Sequence, residues 1–245
     1  ETAPALTEPQ IPVTDTILIP DDKQIIFDNV GFTYPDAQLP MLHQLSFSVK
    51  KGETIGIIGG TGAGKSTLIS LLPRLYDVTS GKILVDGIDV KDYAFKTLRK
   101  KVNIIPQKAV VFTGTIADNL RWGKLDATDA EVWDALETAQ AKDFVERLDE
   151  GLETKLYQGG KNLSGGQKQR LTIARALVAQ PEILIFDDSS SALDYVTDVA
   201  MRGALKDKLK ETTIIAISQR INAIRYSDKI IVLSHGEIRG IGTHE

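Results

Sequence analysis

The chain has 245 residues, a formal net charge of −4, 42% hydrophobic and 25% charged residues, the make-up of an ordinary globular protein of one large or two small domains. The slight acidity speaks against nucleic acid as a partner, and the absence of cysteine excludes disulfides and thiolate metal sites and fits a reducing compartment. No apolar run approaches the roughly 20 residues that cross a bilayer, and no signal peptide or internal repeat is visible.

Residues 1–23 hold four of the nine prolines and little periodicity, and read as an extended linker. The start at Glu1 and the stop at Gly242-Thr243-His244-Glu245 read as a domain excised from a longer protein. Ile25 to Val30 is predicted to be a strand, followed by Phe32-Thr33-Tyr34-Pro35. The alternation Leu45, Phe47, Val49 gives a half-buried strand, and Lys50 to Glu53 the turn back. Ile55 to Ile58 is a buried strand, Leu68 to Leu72 a helix, and Ile83 to Val85 a short strand between Gly81 and Gly87. Lys91 to Lys101 reads as helix and Val102 to Ile105 as a strand ending at Pro106-Gln107.

From Thr115 to about Ala179 only helical signals occur. Asp129 to Ala139 and Ala141 to Leu148 are amphipathic, with Trp133, Leu136, Phe144 and Leu148 expected in the core. Ile183 to Phe186 is a buried strand that delivers Asp187 at its carboxyl end, and a helix follows near Tyr195 to Leu209. Thr213 to Ile217 is another strand, ending at Ser218-Gln219, and a hairpin around His235-Gly236 closes the chain. Apolar strands alternating with helices argue for a parallel α/β core.

One stretch organises the rest. Gly59-Gly60-Thr61-Gly62-Ala63-Gly64-Lys65-Ser66-Thr67 meets the pattern G-x-x-x-x-G-K-[ST] between a strand and a helix. Glycines let the backbone wrap a phosphate chain and aim N–H groups inward, and Lys65 adds a full positive charge. Ser66 offers a hydroxyl to Mg²⁺. A dinucleotide fingerprint fails here, because the glycine spacing does not fit and Lys-Ser closes the loop.

The second strong motif is Leu163-Ser164-Gly165-Gly166-Gln167, upstream of an apolar strand ending in Asp187. With the P-loop it makes residues 25–245 resemble the nucleotide-binding domain of an ABC transporter. The resemblance implies a P-loop NTPase (RecA-like) α/β core with an antiparallel β subdomain and an inserted α-helical subdomain at about 108–170, the ATP-binding domain as a whole filling 24–245. It implies ATP and Mg²⁺ as ligands. It matches Tyr34 to the aromatic that stacks on adenine, Gln107 to the glutamine that contacts Mg²⁺ and the attacking water, and Asp187 to the aspartate that holds Mg²⁺. Ser191-Ala192-Leu193-Asp194 matches the loop that crosses the dimer interface. Phe112 to Ile116, Asn119-Leu120, Thr154 and Gly160 resemble exporter-type segments, which implies a transmembrane domain fused upstream and a place at the cytoplasmic face of the cell membrane. In the family two domains pair head to tail, so that Leu163 to Gln167 would serve ATP on a partner's P-loop.

Three positions depart from the family pattern. The glutamate that follows the metal-binding aspartate, the family's general base, is Asp188 here, one methylene or about 1.5 Å shorter. A general base must lie within about 2.6–3.2 Å of the proton it takes. The histidine that contacts the γ-phosphate is Gln219, which cannot become a cation. A glutamate ahead of the signature is Gln158. The pattern resembles the degenerate half of a heterodimeric exporter, which binds ATP, hydrolyses it slowly and lends its LSGGQ to a competent partner. A homodimeric ATPase that works with Asp and Gln, and a regulatory module without turnover, stand as alternatives.

Overall fold

The structure is a computed structural model and describes residues 6–9 and 22–244. The linker expected over residues 1–23 lies outside the described residues except at 6–9 and 22–23. In chain order the elements are β1 (Lys23–Phe32), β2 (Leu42–Lys50), β3 (Thr54–Ile58), α1 (Lys65–Leu71), β4 (Ser80–Val85), β5 (Ile88–Asp89), α2 (Phe95–Lys101) and β6 (Val102–Ile105). They continue as β7 (Gly114–Thr115), α3 (Ile116–Arg121), α4 (Asp129–Thr138), α5 (Lys142–Glu146), β8 (Lys155–Leu156) and α6 (Gly165–Val178). The last are β9 (Ile183–Asp187), α7 (Tyr195–Lys208), β10 (Thr213–Ile217), α8 (Ile221–Ile224), β11 (Lys229–Ser234) and β12 (Glu237–Gly242). The chain divides into two compact units, residues 1–103 with 211–245, and residues 104–210.

The first unit carries two kinds of sheet. An antiparallel sheet runs β2-β1-β4-β5. Its centre is set by side chains that face each other across strands. Phe27 pairs with Phe47, and the rings stack 4.4 Å apart. The turn between β4 and β5 is Asp86-Gly87, both at positive φ, as a two-residue hairpin turn requires. In the other sheet β3 lies between β11 and β10, parallel to both, and β12 closes the edge antiparallel to β11. A strand with parallel partners on both sides is covered on both faces: Ile55 and Ile57 of β3 are buried on one face, and on the other Gly56 is packed so closely that a Cβ would lie 2.7 Å from Ile224 Cβ. The P-loop leaves from the carboxyl end of β3.

In the second unit α3 and α4 pack on α6, the longest helix there with α7. The buried face of α4 is Val132, Ala135, Leu136 and, at its end, Ala139, an i, i+3, i+4, i+7 stripe. This corrects the expected core. Leu136 is buried, but Trp133 lies one position off the stripe and is only half-buried, as are Phe144 and Leu148. Phe144 sits instead under the guanidinium of Arg170, 4.9 Å from the ring.

Two other readings change. The helix expected from Lys91 breaks at Tyr93 and Ala94, both extended, and α2 starts only at Phe95. Tyr93 is fully buried and its hydroxyl donates to the Val85 carbonyl at 2.9 Å, a contact that a continuous helix would not make. The stretch read as helical throughout from Thr115 is interrupted by β8, which pairs with β7. The class expected from the sequence, an α/β P-loop NTPase fold with an antiparallel β subdomain and a helical segment, is the class of the molecule.

Candidate functional site

The phosphate-loop residues fall in the first unit. Gly64 takes φ +98, caps the N-terminus of α1 without a side chain, and leaves no room for a Cβ, which would meet Leu42 Cδ2 at 2.7 Å. Gly59 is pressed against β11, where a Cβ would lie 2.2 Å from the Leu233 carbonyl oxygen. Thr61 and Gly62 are exposed at the tip, Ala63 is buried, and Gly60 opens onto empty space. Lys65 is folded back over the loop, and its ammonium donates to the carbonyls of Gly59 and Gly60, each at 2.8 Å. A single positive charge is thereby held where the loop's glycines leave the backbone bare. Ser66 is exposed at the helix start and Thr67 is buried.

Tyr34 is brought to the same loop. Its phenol is hydrogen-bonded to Thr67 Oγ1 at 2.9 Å, and its ring stands edge-on to Phe32 and Tyr76. The sequence reading passed over Tyr76; its signal was an aromatic placed just beyond the P-loop helix in a turn with no helical or strand period. Gln219 follows β10 at an exposed bend. The neighbouring Ser218 is buried and accepts the Arg220 N–H at 3.0 Å, which fixes that bend.

The second unit holds the remaining predicted residues. Asp187 ends β9 and is half-buried. Asp188 follows it at φ +46, a left-handed conformation that Asp and Asn tolerate better than other side chains. Its Oδ2 accepts from the Gln107 amide at 3.4 Å, a long hydrogen bond that nonetheless joins two residues distant in the chain. The Gln107 amide nitrogen is thus turned to Asp188, which points its carbonyl oxygen elsewhere. Gln158 opens a short 3₁₀ turn, Gln158–Gly160, ahead of the signature.

Leu163 is buried and Ser164 caps α6. Ser164 Oγ accepts the Gln167 N–H at 3.2 Å and Gln167 Oε1 accepts the Ser164 N–H at 2.8 Å, a capping box. Two polar members of the signature therefore hold the helix end in shape, and Gly165 and Gly166 form its first turn. Ser191 and Ala192 lie in or beside a 3₁₀ turn, Leu193 is buried, and Asp194 caps α7 by accepting the Thr197 N–H at 3.0 Å. That backbone hydrogen bond, with a second from the Thr197 hydroxyl, holds the Asp194 carboxyl below the usual carboxylate range. Among the described residues no group of His, Cys, Asp and Glu forms a metal cluster. Among the described residues no helix is long and apolar enough to cross a membrane.

Residues 42–191 match a family model described as ABC transporter. The chain is 48% identical over 217 residues to an uncharacterised ABC transporter ATP-binding protein of Mycobacterium tuberculosis, covering 87% of this chain and 37% of that protein. It is 42% identical over 221 residues to a Staphylococcus aureus protein provisionally named a multidrug export ATP-binding/permease protein, covering 90% of this chain and 38% of the relative. The chain thus spans less than two fifths of the length of these relatives. A bacterial Atm1-family ABC exporter, solved with ATP bound, superposes with a TM-score of 0.90 at 39% identity, over 98% of this chain and 41% of that one.

Proposed function

The chain belongs to the ABC transporter family, and from that premise we propose that it is the ATP-binding domain of an exporter, holding ATP at a slowly hydrolysing site and lending its signature to a partner. The exporter reading is supported by the relative named for multidrug export and by the Atm1-family exporter structure. On this reading residues 24–245 are the ATP-binding domain, and a transmembrane domain precedes it and sets the transported substrate. The domain works at the cytoplasmic face of the cell membrane, paired with a second nucleotide-binding domain on a different chain.

The residues present fit ATP and Mg²⁺. At Gly60 a Cβ would meet no atom of the chain within 4 Å, so the open face of the loop is space that the fold itself does not need. Gly59, Gly60, Thr61, Gly62, Ala63 and Gly64 supply backbone, Lys65 the charge and Thr67 a hydroxyl for the triphosphate, and Tyr34 an aromatic face for the base. Ser66, Gln107 and Asp187 are the hard oxygen donors that Mg²⁺ prefers. When bound, Mg²⁺ neutralises charge on the phosphate oxygens.

The observation that carries the slow-site reading is the pair Asp188 and Gln219. Asp188 has the shorter carboxylate, which already accepts from Gln107, and Gln219 cannot take up a proton as a histidine can. Gln107 and Asp188 then orient water weakly, and the triphosphate stays intact while Ser164 to Gln167 act on the partner's nucleotide.

The test is restoration. Phosphate release should be slow in the unsubstituted chain and should rise at least about tenfold in Asp188→Glu with Gln219→His, since a well-placed base contributes on the order of 10²–10⁴. Glu at φ +46 should cost on the order of 1 kcal/mol of stability, visible as a lower melting temperature. An unsubstituted chain that alone turns over ATP at roughly 1–10³ s⁻¹ overturns the slow-site reading in favour of a homodimeric ATPase. No phosphate release from either form favours a regulatory module.

A further inference from the structure

Tyr76 stands beside Tyr34, and nothing in the proposed reaction uses it. The two ring centroids are 5.5 Å apart and the planes nearly perpendicular, at 84°. Phe32 completes the cluster, 4.8 Å from Tyr34 and 5.6 Å from Tyr76. Edge-to-face contacts of this kind are a favoured aromatic geometry and restrain the orientation of each ring.

The turn that carries Tyr76 is held on both sides. Before it, Arg74 is 4% exposed and grips the carboxylate of Asp77 with two nitrogens, at 2.7 and 3.2 Å. After it, Thr79 Oγ1 accepts the Thr33 N–H at 3.0 Å and donates to the Gly31 carbonyl at 2.9 Å. The turn is therefore tied to the backbone one residue before Tyr34. A buried guanidinium is costly to desolvate unless its donors are met, and Arg74 also donates to the carbonyls of Lys91 and Thr7, each at 3.0 Å. The turn is thus anchored to its surroundings, with Tyr76, 40% exposed, beside the ring of Tyr34. Tyr34 in turn reaches Thr67 of the phosphate loop. Turn, ring and loop form one chain of contacts within a single unit.

We propose that Tyr76 is a positioning residue for the purine base of the bound nucleotide, acting by propping Tyr34 so that its ring is preset relative to the phosphate loop. This rests on the reading that the P-loop holds ATP and Tyr34 stacks on its base. A ring already fixed gives up less freedom when a base settles on it, so more of the stacking contact is realised as affinity. The phosphates are held by other residues. A ligand with phosphates and no base feels Tyr76 only through the Tyr34–Thr67 hydrogen bond and is therefore affected less than ATP.

The experiment titrates ATP and inorganic tripolyphosphate, both with Mg²⁺, against the full chain and its variants, with thermal melts in parallel. Tyr76→Ala weakens ATP binding about two- to tenfold, the worth of one aromatic pair, and weakens tripolyphosphate binding by clearly less. Tyr76→Phe keeps the ring and restores ATP affinity. Tyr76→Leu keeps apolar bulk without a ring and behaves as the Ala variant, which covers the case that alanine loosens the turn. Ala and Leu variants that bind ATP as the unsubstituted chain does, or that lose ATP and tripolyphosphate equally, overturn the proposal. Tyr34→Ala separates the two levels: if it leaves ATP affinity untouched, the base-stacking reading itself fails, whatever Tyr76 does.

Discussion

Gly60 separates what the fold requires of the phosphate loop from what a ligand requires. At Gly59 and Gly64 the chain's own atoms exclude a side chain; at Gly60 they do not, and its φ is not in the left-handed region. A methyl group there should be neutral to folding, or mildly stabilising because alanine narrows the unfolded ensemble by about 0.4–1 kcal/mol. The same methyl would stand on the open face of the loop. Gly60→Ala should therefore keep its melting temperature and lose on the order of tenfold in ATP affinity, about 1.4 kcal/mol, by calorimetric titration. Undiminished affinity would remove Gly60 from the cradle, and a fall in melting temperature would show that the space is not empty. The loop was legible in the sequence because its members are adjacent, so spacing alone specifies their relation. The bond between Tyr34 and Thr67 was not, since 33 residues separate them and neither motif mentions the other. Nor was the left-handed backbone of Asp188, which no composition or period announces.

At the scale of elements, the signature helix shows a local rule broken at its start. Gly165 and Gly166 are the first two residues of α6; a Cβ at Gly165 meets nothing, and one at Gly166 only the Ala192 carbonyl oxygen at 3.6 Å, an ordinary contact. Glycine in a helix is worse than alanine by roughly 0.5–1 kcal/mol, and the capping box of Ser164 and Gln167 holds the helix end despite it. The fold would be better served by alanine, which argues that the bare backbone serves something outside the chain. Gly165→Ala should raise stability by up to about 1 kcal/mol in denaturant titrations. In the Asp188→Glu, Gln219→His background the same change should lower phosphate release. Stability raised with turnover unchanged would dissociate this turn from any nucleotide. Unbroken apolar runs, such as those of β3 and β9, were legible from the sequence, whereas the break before α2 depends on the buried Tyr93 finding the Val85 carbonyl in another strand. Trp133, expected in the core of α4, is half-buried because its neighbours at i−1 and i+3, Val132 and Leu136, hold the inward stripe.

For the whole molecule, the carboxylates that cap helices are unevenly spread between the two units, and acid should find the difference. Asp118, Glu131 and Asp194 all lie in residues 104–210. Asp118 is held below the usual carboxylate range by the Thr115 backbone N–H, then by its hydroxyl. Glu131 is lowered first by the Lys124 ammonium and next by the Thr128 backbone N–H, and Asp194 by the Thr197 backbone N–H. In each the folded state favours the ionised form more than the unfolded chain does. Their contribution is therefore fully present above the unfolded values of about 4 and is lost as pH falls through the lower folded values. The three serve α3, α4 and α7 respectively. Amide exchange measured from pH 6 downward should accordingly show these helices opening as the pH drops below about 4, ahead of the β1, β2 and β4 amides of the other unit. Asp118→Asn, Glu131→Gln and Asp194→Asn, combined, should start less stable at neutral pH and show a flatter dependence on acid. Simultaneous opening of both units in the unsubstituted chain, or an unchanged acid slope in the triple variant, would mean that these caps do not set where the molecule yields. The outcome bears on function because Asp194 closes the loop expected to cross the dimer interface. Protonating it would loosen that loop and the start of α7 together, while the phosphate loop, whose grip rests on Lys65 and backbone, would keep its charge.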